Sequence, residues 1–344
     1  MHYGFLTVYV RDPGGIIVRR GTIGAAISLV VVIAAGIAYN YSNRPSPKEI
    51  TKVTLAQVGE FFIYMPLYIA QEKGFFRNAG LDVSIVNTGG DDKSVAAVIS
   101  GSADFGVGDP TFAVIAGLQG QDVRVVASVV NGVPFWGVTK NARVPEITTP
   151  SQLNGFSVAT FPSPSTAFTL QTQMFRSGGL APNIRQAQFG TLLPLLDTGT
   201  ADIVLELEPN VATAVAQGAR VVFSMAKTYG DFAITGVTVS QKTITDRPNV
   251  VKAFVQAIDQ AEKFAHANPA EAIAIAKVRF PSIAPAIAEQ AMRRMLDERT
   301  FPTSAVISLD AWRKAVQLRV VAGEIPSVDK AMPFLDNSIA ATFQ

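Results

Sequence analysis

Glu206 and Glu208 stand two apart in the run ADIVLELEP. On a strand that spacing turns both carboxylates to one face, with Leu205 and Leu207 on the other. Paired acids facing an enclosed space suit a ligand that offers N–H donors or a cationic amine. Two further acids, Asp109 and Asp231, occur alongside hydroxyls at Thr111, Ser163, Ser165 and Thr166, the amide of Asn131, and rings at Phe61, Phe62, Tyr64, Trp136 and Tyr229. Together they could stack a planar ligand between rings and meet its acceptors with hydroxyls and helix N-termini. The set holds no lysine or arginine, so it offers no basic clamp for an anion, although helix N-termini alone can hold one. The ligand it predicts is a nitrogen heterocycle or amine-bearing aromatic small molecule, with Glu206 or Glu208 accepting from it. A small anion is the alternative.

Covalent and metal chemistry have little to work with. Cysteine is absent, which excludes disulfides, thiolate metal sites, a cysteine nucleophile and a lipidated N-terminal cysteine. The two histidines are His2 and His266, too few for a multi-histidine metal centre, and His266 closes the helical run AEKFAHANP, where imidazole suits the negative end of the dipole. Neither a Walker A nor a GxGxxG pattern occurs. No cofactor or metal is expected.

The candidate residues gain meaning from the elements that carry them. Short apolar runs alternate with helical stretches after Lys48, the pattern of sheets covered by helices. KVTLAQV, LDVSIVNTG, ADFGVGD and VRVVASVV read as strands, with helices opening at Pro66, in DDKSVAAVIS, and at Pro110. The alternation repeats with strands FSVAT, RQAQF, ADIVLEL and RVVFSM and helices Ser165 to Arg176, Leu192 to Asp197, and from Pro209. Ser100–Asp104 (SGSAD) matches Thr198–Asp202 (TGTAD) in the same context, which points to duplicated lobes. GVPFWGVTK and AITGVTVS read as paired crossover strands, and helices from Pro248, from Pro269, over Ala286 to Asp297, and in SLDAWRKAVQLRVVAG complete the chain. A chain that crosses to a second lobe and returns encloses a cleft, and in doubly wound lobes ligands meet the loops at the C-terminal strand ends. That rule selects the candidates: Phe61, Phe62 and Tyr64 after the first strand, Gly90 after the second, Asp109 and Thr111 after the third, Asn131 and Trp136 at the crossover, and the rest in the second lobe. Phe135 and Phe161 fall in the same loops, while Asp91 reads as a helix cap.

The chain has 344 residues, 29 basic and 27 acidic, for a net charge of +2. Arg11, Arg19, Arg20, Arg44 and Lys48 against Asp12 and Glu49 leave +3 on the first fifty residues, so the remainder carries −1 and nucleic acid is not an expected partner. Gly21 to Asn43 lacks charge, and Arg19 and Arg20 precede it, which directs the downstream chain across a membrane. Residues 1–20 are read as a cytoplasmic leader, 21–43 as a transmembrane anchor or a cleaved signal segment, and 44–50 as a linker. Lobe I is expected over 51–134 and 236–344, and lobe II over 135–235.

PLYIAQEKGFFRNAGLDVSIV, SGSADFGVGDP, GQDVRVVAS, SQLNGFSVAT, GTADIVLELEP and NVVKAFVQAIDQAEKFAHANPAEA, in that order, resemble the nitrate/sulfonate/taurine class of ABC-importer substrate-binding proteins, which includes binders of thiamine-pyrimidine precursors. The resemblance implies the type II periplasmic-binding-protein architecture, a monomer that is not an enzyme, an extracytoplasmic location, and a permease with its ATPase as partners. One branch of this fold makes the thiamine pyrimidine using a lysine-bound pyridoxal phosphate, a histidine and a cysteine-rich iron site. Phe61 to Pro66 contains neither lysine nor histidine, and cysteine is missing, so the chain departs from that branch. Within that class an aliphatic sulfonate, taurine or another small anion is the alternative ligand, and a membrane-tethered ligand sensor is the second alternative.

Overall fold

The computed structural model describes residues 50–163 and 165–344. The leader, the candidate membrane segment 21–43 and the linker up to residue 49 lie outside the described residues. Among the described residues no helix is long and apolar enough to cross a membrane.

In chain order the strands are β1 (Thr51–Gln57), β2 (Leu81–Asn87), β3 (Phe105–Gly108), β4 (Val123–Gly132), β5 (Trp136–Thr139), β6 (Val158–Thr160), β7 (Ile184–Gln186), β8 (Ile203–Glu206), β9 (Arg220–Ser224) and β10 (Asp231–Ser240). The longer helices are α1 (Met65–Glu72), α2 (Asp91–Ser100), α3 (Thr111–Leu118), α4 (Thr166–Ser177), α5 (Asn210–Ala216), α6 (Pro248–Ala267), α7 (Pro269–Arg279), α8 (Pro285–Asp297) and α9 (Leu309–Val321). Proline stands at the first position of α6, α7 and α8, where its missing N–H leaves no bond unmade.

Two five-stranded sheets form, in the orders β2-β1-β3-β10-β4 and β7-β6-β8-β5-β9. Both have the same plan, with β1, β2 and β3 parallel in one, β6, β7 and β8 parallel in the other, and an antiparallel strand fourth in each. The mixed α/β, two-sheet fold is therefore the one the sequence implies. The two crossover runs pair within their own sheets rather than with each other: Trp136–Thr139 joins β8 and β9, and β10 joins β3 and β4. β10 is already paired at Asp231 with Gly132, so the return to the first sheet precedes residue 236.

The internal repeat is a structural one. Gly101 and Gly199 both take the left-handed conformation, at φ 75° and 67°, that turns the chain from helix end to strand. Asp104 Oδ2 accepts from Thr54 N (2.8 Å) and Asp202 Oδ2 from Ser157 N (2.9 Å), each tying the start of a strand to β1 or to the residue that leads into β6. The core follows from periodicity: α6 buries Val251, Phe254, Val255, Ile258, Ala261 and Ala265 along one stripe, and Phe254 stacks on Phe105 of β3 at 4.0 Å between centroids.

Candidate functional site

The loops at the C-terminal ends of the parallel strands converge on a cavity of about 650 Å³ between the two sheets. The first sheet supplies Phe61, Tyr64, Gly90, Asp91, Asp92, Asp109 and Phe112, and the second supplies Phe161, Ser165, Thr166, Gln188, Phe189 and Leu207. Phe135, from the crossover, and Thr235 of β10 complete the chemically distinct part of the wall. Of the residues expected from sequence, the structure thus brings together Phe61, Tyr64, Gly90, Asp109, Ser165 and Thr166. Among the described residues neither lysine nor arginine lines the cavity.

Rings form a continuous run around it. Tyr64 meets Phe61 edge-on at 5.7 Å, Phe61 meets Phe189 at 5.2 Å, Phe189 meets Phe161 at 6.0 Å, and Phe161 meets Phe135 at 6.1 Å. The Phe61–Phe189 contact joins the two sheets' loops across the cleft. The two pairs made by Phe61 are edge-to-face and the other two are tilted, arrangements that leave ring faces free for a planar guest.

Asp109 sits where β3 ends and is held from both sides. Its Oδ1 accepts from Thr111 N (2.9 Å) and Thr111 Oγ1 (2.6 Å); its Oδ2 accepts from Thr166 Oγ1 (2.6 Å) and Arg319 Nη2 (2.8 Å). Arg319 also donates to Thr166 Oγ1 (3.0 Å) and Thr111 Oγ1 (3.0 Å), and pairs with Glu324 at 2.9 Å. Because Thr166 opens α4 of the second lobe, this network fastens the two halves together. Thr111 is consumed in it and does not line the cavity. Asp91, expected as a helix cap, begins α2, lines the cavity and accepts from Asp109 N through Oδ1 at 2.7 Å. Gly108 makes that reach feasible: a Cβ there would lie 2.4 Å from Asp91 Oδ1. Burial first, and then the charge of Asp109, push the Asp91 carboxyl up to about 6.

Glu206 and Glu208, expected to accept from the ligand, do not line the cavity. Glu206 is fully buried and accepts from Leu207 N through Oε1 at 2.9 Å, and burial pushes its carboxyl up to about 7. Glu208 accepts from Ala212 N (3.0 Å) and is paired to Arg294 of α8, yet burial still raises it. Asp109 and Glu208 thus play like parts in the two lobes, each binding a helix N–H and an arginine from the C-terminal helices.

The other expected residues are also placed elsewhere. Phe62 packs on Phe280 at 5.1 Å. The Asn131 backbone donates to Thr300 O (2.9 Å), and its Oδ1 is enclosed without a partner. Trp136 is fully buried and donates Nε1–H to Glu298 Oε2 at 2.8 Å. Ser163 is exposed, with its N–H on Gln186 Oε1 (2.9 Å). Tyr229 lines a separate hollow beside α9, where burial pushes its phenol up to about 12. Asp231 is exposed, and its carbonyl accepts from Lys314.

Sequence reasoning missed Phe112, Gln188, Phe189 and Arg319. The alternation in RQAQF extends the strand through Gln188 and Phe189, but β7 stops at Gln186 and leaves both on the loop. For Arg319 a signal existed: it continues the buried stripe Trp312, Ala315, Val316 at helical spacing, where an arginine must have a partner.

The family described as NMT1/THI5 like matches residues 62–272. YtlA of Bacillus subtilis (strain 168), named as a binding protein, is 23% identical over 304 residues, which cover 81% of this chain and 86% of YtlA. Among solved structures, the alkanesulfonate-binding protein SsuA from Xanthomonas axonopodis pv. citri, bound to MOPS, has a TM-score of 0.63 at 17% identity over 85% of this chain and 99% of its own. The periplasmic nitrate-binding protein NrtA from Synechocystis PCC 6803 has a TM-score of 0.63 at 16% identity over 85% of this chain and 87% of its own. These two share the fold. With more than half its length matched, and with the cavity at the strand ends of two like-patterned sheets, the chain belongs to the NMT1/THI5-like family.

Proposed function

We propose that this protein is the extracytoplasmic substrate-binding component of an ABC importer, and that it captures a nitrogen heterocycle or an amine-bearing aromatic molecule between its lobes. The observation that carries the ligand class is the wall of the 650 Å³ cavity: five phenylalanines and a tyrosine with three aspartates, and, among the described residues, no lysine or arginine. A space of this size encloses a small organic molecule, and rings with a few acids favour a flat, N–H-bearing one. The site is made by Phe61, Tyr64, Gly90, Asp91, Asp109, Ser165 and Thr166, together with Phe112 and Phe189. The lobe that carries β1 to β4 and β10 closes on the one that carries β5 to β9, and the loaded monomer meets a permease served by an ATPase. Residues 21–43 either anchor the protein in the membrane or are removed as a signal segment. The role is binding rather than catalysis.

A small anion is the second reading. It is favoured by the N-terminus of α4 at the cavity wall and by the ligands named for SsuA and NrtA. Thermal unfolding in the presence of pyrimidines, aromatic amines, sulfonates, taurine and nitrate separates the two. A ligand at a hundred times its Kd adds about 2.7 kcal/mol, which raises the midpoint by roughly 1.5 °C per kcal/mol in a chain of this size. Shifts with heterocycles or amines are expected; shifts confined to sulfonates or small anions overturn the proposed ligand class.

A further inference from the structure

Two polar groups on the cavity wall lack partners. Asp91 Oδ1 takes the N–H of Asp109, but Oδ2 accepts no hydrogen bond from any described residue. Tyr64 is 3% exposed, lines the same cavity, and its hydroxyl makes no hydrogen bond among the described residues. Its ring is buried but its hydroxyl is not sealed off, so the hydroxyl is free to meet a group brought into the cavity.

The charges around Asp91 sharpen what that group is. Tyr64 faces it from the turn before α1, Asp109 from the end of β3, Arg319 from α9, and Asp92 and Lys93 are its neighbours on α2. Arg319 is already bound by Asp109 and Glu324, and Phe112 stands against it, ring centroid 5.0 Å from Cζ. Four carboxylates, Asp91, Asp92, Asp109 and Glu324, thus oppose Arg319 and the exposed Lys93. The surplus is negative, and the unoccupied lone pairs are those of Asp91.

We infer that the ligand is a cation, with a protonated amine or amidinium seated on Asp91 Oδ2, the Tyr64 hydroxyl as a further acceptor, and the rings of Phe61 and Phe112 against it. This rests on the amine-bearing aromatic reading above and narrows it, since a neutral heterocycle would satisfy that reading alone. Ring faces add cation–π attraction to the ion pair. Because the ionised carboxylate is the binding form, affinity rises with pH across the range in which Asp91 loses its proton.

Matched pairs of the same shape test the charge: benzylamine against benzyl alcohol, tyramine against 4-ethylphenol, and benzamidine against benzamide, with taurine and nitrate alongside. The readout is the unfolding midpoint of the full chain, followed by calorimetry on the strongest binder. The expected result is a larger shift from the cationic member, lost in Asp91→Asn, and affinity about tenfold weaker at pH 5 than at pH 7.5 for a carboxyl near 6. The carboxamide oxygen of the Asp91→Asn variant can still accept from Asp109 N, so this protein should unfold close to wild type without ligand; if it does not fold, the wild-type pH dependence decides. Equal shifts within each pair overturn the cation and leave the aromatic reading standing. Silence from every cation also overturns the inference, and responses from taurine or nitrate alone overturn both.

Discussion

Asp109 gives its two carboxylate oxygens to four donors, two from Thr111, one from Thr166 and one from Arg319. With the Arg319 side chain 1% exposed and that of Asp109 8%, Asp109→Ala should cost about 3–5 kcal/mol, as breaking a buried pair does, and appear as a lower unfolding midpoint. Glu206 predicts the opposite. Since it lies outside the cavity, Glu206→Gln should leave a ligand-induced midpoint shift unchanged; a lost response would return the glutamate to the site. Glu262 is a different case: it is fully buried on α6, neither carboxylate oxygen has a hydrogen-bond partner, and burial, then Asp259, hold its carboxyl well above the usual range. Its protonated form belongs to the folded state. That contribution is complete below the unfolded value of about 4.3 and is lost as pH rises from there toward the raised folded value. Glu262→Gln should therefore flatten the fall of midpoint between pH 4 and pH 8 and stabilise the protein at neutral pH.

At the scale of elements, Gly108 is the position where a single methyl meets the cavity wall, 2.4 Å from Asp91 Oδ1. Gly108→Ala drives the new Cβ into Asp91 Oδ1 and should displace the carboxylate from Asp109 N; the check is a lower midpoint together with loss of any pH-dependent ligand response. The helices and strands were largely legible because their punctuation is local. Pro248, Pro269 and Pro285 mark helix starts, and Gly101 and Gly199 mark the turns into strands. The cavity wall was legible only in part. Strand-end loops predicted Phe61, Tyr64, Asp109, Ser165 and Thr166, but whether an acid near such an end meets ligand or arginine depends on a helix far along the chain. Glu208 finds Arg294 across 86 positions and Asp109 finds Arg319 across 210, and no local pattern encodes either meeting. The strand RQAQF failed for a simpler reason: apolar alternation continues past Gln186, although pairing with β6 does not.

At the scale of the whole molecule, Glu298 joins the two halves as Asp109 does, accepting from Trp136 Nε1 and from Ser224, with Lys227 3.5 Å away. The chain has two tryptophans, Trp136 and Trp312, so a Trp312→Phe variant leaves one indole whose N–H reports this contact. Ligand that tightens the closed form should hold its emission steady, whereas Glu298→Ala should change emission and weaken ligand binding; no change in either would detach this contact from closure. The order of β10 has a consequence for how the protein is made. The second sheet is contiguous in the chain, whereas the first must wait for β10, which fills the gap between β3 and β4. During synthesis, β1 to β4 therefore emerge with unpaired edges, and they stay so until the entire second lobe has followed them out. A nascent chain stalled before Asp231 should thus hold every strand of the second sheet beside an N-terminal half open to chaperones, with Glu208 and Trp136 still waiting for Arg294 and Glu298.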